Sequence, residues 1–156
     1  MAPGLDSDLS DYQFVSVLLG RQPRSHFDVV VRGADGIPWV IRNAPLELDG
    51  RTPMPTRYWL LGSCPAAVPI GRLEADGGVR QAEAAVDADE LARAHARYAA
   101  DRDAAIPADY DGPRPNGGVG GTRQGVKCLH AHYGYFLVGG DDPVGRWVAS
   151  RLADTS

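Results

Sequence analysis

Cysteine is scarce in this chain: among 156 residues there are 2, Cys64 and Cys128. They could pair, but in a reducing cytosol they read as free thiols or metal ligands. Long apolar runs are missing as well. Nothing approaches the roughly 20 residues that span a bilayer, which argues against membrane insertion. Met1–Ser10 is acidic and lacks the basic and apolar regions of a signal peptide, so the expected location is the cytoplasm. Positive charge is in deficit: 16 Lys and Arg stand against 20 Asp and Glu, for a net charge of −4. A general nucleic-acid binder needs a clustered cationic excess to neutralise phosphate, so RNA and DNA are not expected partners. No internal repeat and no interdomain linker is visible.

What is present describes one folded unit. A hydrophobic share of 44% against 23% charged is ordinary for a globular protein, and the length suits a single domain over 1–156. Asp6 and Ser7 can cap a first helix that runs to about Leu19 and exits at Gly20. Phe27–Arg32 and Pro38–Arg42 are β-branched and aromatic runs around Gly33-Ala34-Asp35-Gly36, the pattern of a hairpin. Asn43 to Pro55 is a turn-rich connector, and Arg57–Leu61 is a third strand with Cys64 just beyond it. Pro65 to Asp76 forms a short helix closed by Gly77-Gly78. Asp87 with Glu90 opens the clearest helix, in which Leu91, Ala94, His95, Tyr98 and Arg102 keep helical spacing to about Ala105. Residues 106–122 form a long loop rich in Pro and Gly. Asp142-Pro143 caps and starts a last helix to about Leu152. The expected fold is α+β: a small antiparallel sheet of about three strands packed by four or five helices.

Chemistry concentrates in Gly117–His132. Gly118, Gly120, Gly121 and Thr122 lead, with Arg123 and Lys127, toward a thiol and two imidazoles. Such a loop before a helix start can aim backbone N–H groups at a phosphate or carboxylate. It misses the Walker pattern, because Val126 intervenes before Lys127 and Cys128 replaces the hydroxyl residue. The same glycines equally suit a surface loop that turns tightly.

Several phrases resemble the bacterial domain of unknown function 501 family: Gly36-Ile37-Pro38, Asp49-Gly50-Arg51-Thr52-Pro53-Met54-Pro55-Thr56, Leu73-Glu74-Ala75, Val126-Lys127-Cys128-Leu129-His130 and Asp142-Pro143-Val144-Gly145. The resemblance runs from about Leu18 to Val148. It implies an actinobacterial context near septum-formation and polyphosphate proteins, and no established activity. In relatives a cysteine commonly follows the arginine matching Arg32, where this chain has Gly33. The position matching Cys64 accepts cysteine or histidine, an exchange a metal site tolerates.

Val126, Leu129, Tyr133, Phe136 and Leu137 recur at helical spacing up to Gly139-Gly140, so the segment 126–138 is expected to be a helix. On it Cys128 and His132 share a face at i and i+4, while His130 points toward the apolar stripe. A zinc site would then use Cys64, Cys128 and His132, with a water or a residue such as His26 or His95 completing it. Were the segment a strand, Cys128, His130 and His132 would share one face. A cysteine enzyme would take Cys128 as nucleophile, His130 or His132 as base, and Arg123 with Lys127 as anion holders. Inert packing of both thiols is the alternative to either. Tyr58, Trp59, Trp39 and Trp147 can line a pocket or fill the core. The functional expectation is a cytosolic accessory or binding module for a small anion or a metal ion, with zinc as the candidate cofactor. The alternatives are a cysteine-dependent enzyme on a phosphorylated or carboxylate substrate, and a protein-interaction domain of division or envelope assembly.

Overall fold

The structure is a computed structural model and describes residues 9–155. Helix α1 spans Asp11–Leu19 and is started by a capping box: Ser10 Oγ accepts the Gln13 N–H, and the Gln13 side chain accepts the Ser10 N–H in return. The expected cap at Asp6 and Ser7 lies outside the described residues. Gly20, at φ 70°, ends the helix as expected.

Strands β1 (Phe27–Arg32), β2 (Pro38–Asn43) and β3 (Tyr58–Leu60) form an antiparallel sheet in the order β1-β2-β3. Val40 pairs with Leu60 and Ile41 with Trp59, so the two-residue period sends Val40 and Leu60 to one face and Ile41 and Trp59 to the other. β1 loses register against β2 between Val29 and Arg32. The connector between β2 and β3 folds back on itself through a bridge between Leu46 and Pro53.

Helices cover the Val40 face. α2 is Ala67–Ala75, α3 Gly78–Ala85, α4 Ala88–Ala104, α5 Leu129–Leu137 and α6 Pro143–Asp154. The described residues thus hold six α-helices, against the expected four or five. The extra one is α3: Gly77, at φ 88°, turns the chain after α2, but Gly78 begins a new helix instead of a loop. Its small residues hide it from an apolar periodicity search, and Ala82 is fully buried. α4 is the element read most closely from sequence, since its buried face is Leu91, Ala94, His95, Tyr98 and Arg102.

The main core joins Val40, Leu60, Ile70, Tyr98, Leu129, Val144 and Val148. A smaller cluster of Val15, Ile41 and Leu61 lies under α1. Tyr98 ties α4 to the sheet: its hydroxyl accepts the backbone N–H of Arg57 at 2.6 Å and of Tyr58 at 3.1 Å. The 106–122 loop is irregular apart from a 3-10 turn at Val119–Gly121. It is nonetheless pinned, because buried Arg102 donates to the Gly117 carbonyl at 2.9 Å and to the Pro55 carbonyl at 3.1 Å.

Candidate functional site

α5 begins at Leu129, three residues later than expected, and this moves Cys128 out of the helix. Cys128 is the N-cap, with extended backbone at φ −146° and ψ 121°. An N-cap side chain reaches over the first turn of its helix toward the second and third helical positions. Cys128 therefore meets His130, and the expected i, i+4 face shared with His132 does not form. The cause is visible in the approach: Gly125 takes φ 68°, and the Val126 N–H is held by the Glu83 carboxylate at 2.9 Å.

Cys128 supplies no cap bond of its own. Glu74, on α2, does this from outside: its Oε2 accepts the Leu129 N–H at 3.0 Å, placing a carboxylate at the positive end of α5. The other oxygen, Oε1, lies 2.7 Å from His130 Nδ1. Ligand atoms of Glu74, Cys128 and His130 all fall within 4.8 Å of one another, and all three residues are half-buried. Glu74 is not among the candidates that the sequence supplies. It sits in the phrase Leu73-Glu74-Ala75, but nothing in that phrase says which way it faces.

The His130 tautomer follows from its second partner. Nε2 lies 3.0 Å from the Ala67 carbonyl oxygen, which can only accept, so Nε2 carries hydrogen. In the metal-free chain His130 is pushed up to about 9, first by its hydrogen bond with Cys128 and further by Ala67 and Glu74, against the opposing effect of burial. Exchanging the Nδ1 proton for a metal ion would leave Nδ1, the Cys128 sulfur and a Glu74 oxygen as one mixed donor set. Histidine, thiolate and carboxylate are zinc ligands, and an N–H held by a backbone carbonyl is the usual support behind a metal-bound imidazole.

Cys64 and His132 stand outside this group. Cys64 is 4% exposed and packs in the main core, where burial pushes its thiol up. His132 is fully buried and pairs with Asp142, Nδ1 to Oδ2 at 2.7 Å. Asp142 uses its other oxygen to accept the N–H groups of Val144 and Gly145, at 2.9 and 3.1 Å, as the N-cap of α6. Among the described residues His132 Nε2 has no hydrogen-bond partner. His95 stacks edge-on to His132 at 5.5 Å. His95 Nδ1 accepts the Val119 N–H at 3.0 Å and Nε2 meets the Gly125 carbonyl at 2.9 Å, so both ring nitrogens serve the loop.

The glycine loop uses several of its donors within the protein. Gly118 N–H bonds the Thr122 carbonyl at 2.7 Å and Gly121 N–H the Gly118 carbonyl at 3.1 Å. The Gln124 N–H turns back on Thr122 Oγ1 at 3.4 Å. Gly118 is required for close approach, because a Cβ there would lie 2.6 Å from the His95 Cβ. Arg123 and Lys127 are exposed, and Arg123 donates to Asn116 Oδ1 at 3.1 Å.

The fold and the cluster define a small α+β structure with a Cys-x-His pair at a helix start and a carboxylate brought to it by a second helix. The chain belongs to the family described as Protein of unknown function (DUF501), which it matches over residues 29–150. No curated protein and no solved structure matches it. Among the described residues no helix is long and apolar enough to cross a membrane.

Proposed function

We propose that the protein is a metal-binding module whose Glu74, Cys128 and His130 hold one divalent ion of the zinc class. The carrying observation is the Ala67 carbonyl on His130 Nε2, which reserves Nδ1 for the side where Glu74 waits. Three protein ligands leave a fourth position for water or a substrate atom, the arrangement of sites in which zinc acts as a Lewis acid. Cys128, His130 and Glu74 hold and orient the ion, and Ala67 fixes the imidazole ring. This reading takes Cys128 from the expected zinc set and replaces Cys64 and His132 with Glu74 and His130.

The test is metal analysis of protein purified without a histidine tag, together with cobalt substitution. Near-stoichiometric zinc is expected, with a thiolate-to-cobalt charge-transfer band that disappears in Cys128→Ser. His130→Ala and Glu74→Gln should lower the metal content, while Cys64→Ser should not. Protein that is stable without metal and shows no such band with cobalt overturns the proposal.

A cysteine-dependent activity is a second reading, favoured by the closeness of the Cys128 sulfur to a His130 ring nitrogen, within 4.8 Å. A protonated imidazole there would stabilise a thiolate rather than serve as base. Iodoacetamide applied after chelation separates the two readings. Selective alkylation of Cys128 over buried Cys64, abolished by His130→Ala but unaffected by prior zinc, would favour the thiol chemistry. Protection by zinc favours the metal site.

A further inference from the structure

A second site lies on the opposite face of the sheet, where Leu19 at the end of α1 packs on the cluster that holds Ile41 and shares a cavity with Trp59. A cavity of about 340 Å³ opens there, between the Arg21–Ser25 turn and the Pro53-Met54-Pro55 wall. Such a volume is in the range of small-molecule pockets. Trp59 is 41% exposed, although its strand neighbours Tyr58 and Leu60 are each 7% exposed. A large aromatic ring left open beside an apolar wall is an informative exposure.

The cavity is preformed. Asp49 accepts the N–H groups of Arg51 and Thr52, at 2.9 and 2.8 Å, and turns the chain. The Met54 N–H bonds the Pro45 carbonyl at 2.8 Å and the Glu47 N–H bonds the Thr52 carbonyl at 2.7 Å, which fixes the wall. At the base, buried Ser25 and Asn43 satisfy each other at 3.3 Å, and the Asn43 amide donates to the Thr56 carbonyl at 3.0 Å. Specificity therefore falls to the rim.

There the charge is unbalanced. Arg24 makes no side-chain hydrogen bond or ion pair among the described residues, and Arg21 bonds only the neighbouring Gln22 carbonyl, at 3.1 Å. Among the described residues Glu47 is the one acidic side chain that lines the cavity. Guanidinium groups suit planar, two-oxygen anions, and an exposed indole suits a flat ring.

We propose that this cavity binds a planar aromatic anion, with the ring against Trp59 and its carboxylate or phosphate on Arg21 and Arg24. The motif Asp49–Thr56, which the metal site does not use, is then the wall of a ligand pocket.

Isothermal titration calorimetry with 2-naphthoate, 2-naphthyl phosphate and neutral 2-naphthamide tests this on the full chain. At least one of the two anions should bind saturably, and whichever is tighter names the acidic group. The amide should bind about tenfold or more weakly, a difference of about 1.4 kcal/mol. The double variant Arg21→Ala, Arg24→Ala should lose the anion preference. Trp59→Ala should abolish binding, with Trp59→Phe retaining part of it. All three side chains are exposed, so unchanged melting curves verify that the variants fold. Binding by neither anion, equal binding of anion and amide, or full binding by the double arginine variant overturns the proposal.

Discussion

Glu74 and Leu129 are joined across 55 positions of chain by a hydrogen bond of 3.0 Å, a carboxylate on one helix capping the start of another. Glu74→Ala leaves the Leu129 N–H without its acceptor and should cost about 0.5–2 kcal/mol, the range for losing a helix cap. Glu74→Gln keeps an acceptor oxygen and removes the charge. It should recover most of that stability while still impairing metal binding. Urea unfolding of the metal-free proteins and metal analysis of the loaded ones read the two effects separately.

His132 and Asp142 form a pair in which neither side chain is exposed. Leaving a buried hydrogen-bonding group without its partner costs about 1–3 kcal/mol. Asp142→Ala should fall in that range, since it also removes the α6 cap. Asp142→Asn should cost less, because its oxygen can still serve the Val144 and Gly145 N–H groups. A chemical denaturation series that places Asn and Ala together would show that the imidazole partner, and not the cap bonds, sets the cost at this position.

His95 gives the stability a pH dependence of known sign. Burial holds it below its ordinary 6.5, and the neighbouring His132 acts in the same direction, with Gly125 and Asp142 opposing. The folded chain resists a proton that the unfolded chain accepts. Its contribution is therefore complete above about pH 6.5 and is lost as pH falls through the depressed value. His130 has the opposite sign in the metal-free chain. Held up to about 9 from 6.5, it contributes fully below 6.5 and loses that contribution as pH rises through about 9. Melting temperature against pH should decline on both sides. His95→Asn should flatten the acid side and His130→Ala the alkaline side.

Tyr98→Phe removes one oxygen and strands two N–H groups, those of Arg57 and Tyr58. The cost should be about 1–3 kcal/mol, the penalty for buried donors without acceptors. Faster hydrogen exchange at Tyr58 should accompany it. An unchanged exchange rate would mean that the hydroxyl does not hold the strand.

The hairpin, α4 and the last helix are readable because their signals are local: β-branched and aromatic runs on either side of Gly33 and Gly36, an Asp87 cap before a 3.6-residue stripe, and proline after Asp142. The site is only half readable for the same reason. Cys128 and His130 declare themselves as Cys-x-His, but helix geometry applied to the sequence separates them. Whether Cys128 stands inside the helix or caps it depends on Gly125 and on Glu83, a residue 43 positions from its partner Val126. Glu74 enters through tertiary packing of α2 on α5, for which spacing along the chain carries no signal. α3 escapes the sequence because alanine and polar residues bury little and leave no apolar rhythm.

The Tyr98 clamp also decides how far the sheet can grow. In β3 the residues that pair with β2 alternate with residues whose N–H groups face away from it. The outward N–H of Tyr58 is capped by Tyr98, and a Cβ on Gly134 of α5 would lie 3.4 Å from the Leu60 nitrogen. A strand from another molecule finds no open ladder on that side. At the other border, β1 carries a register shift and the ionic side chains of Asp28 and Arg32, features that blunt an exposed strand against edge-to-edge pairing. Three strands are therefore a stopping point, and a destabilised Tyr98 variant should aggregate through β3 before it does so through β1.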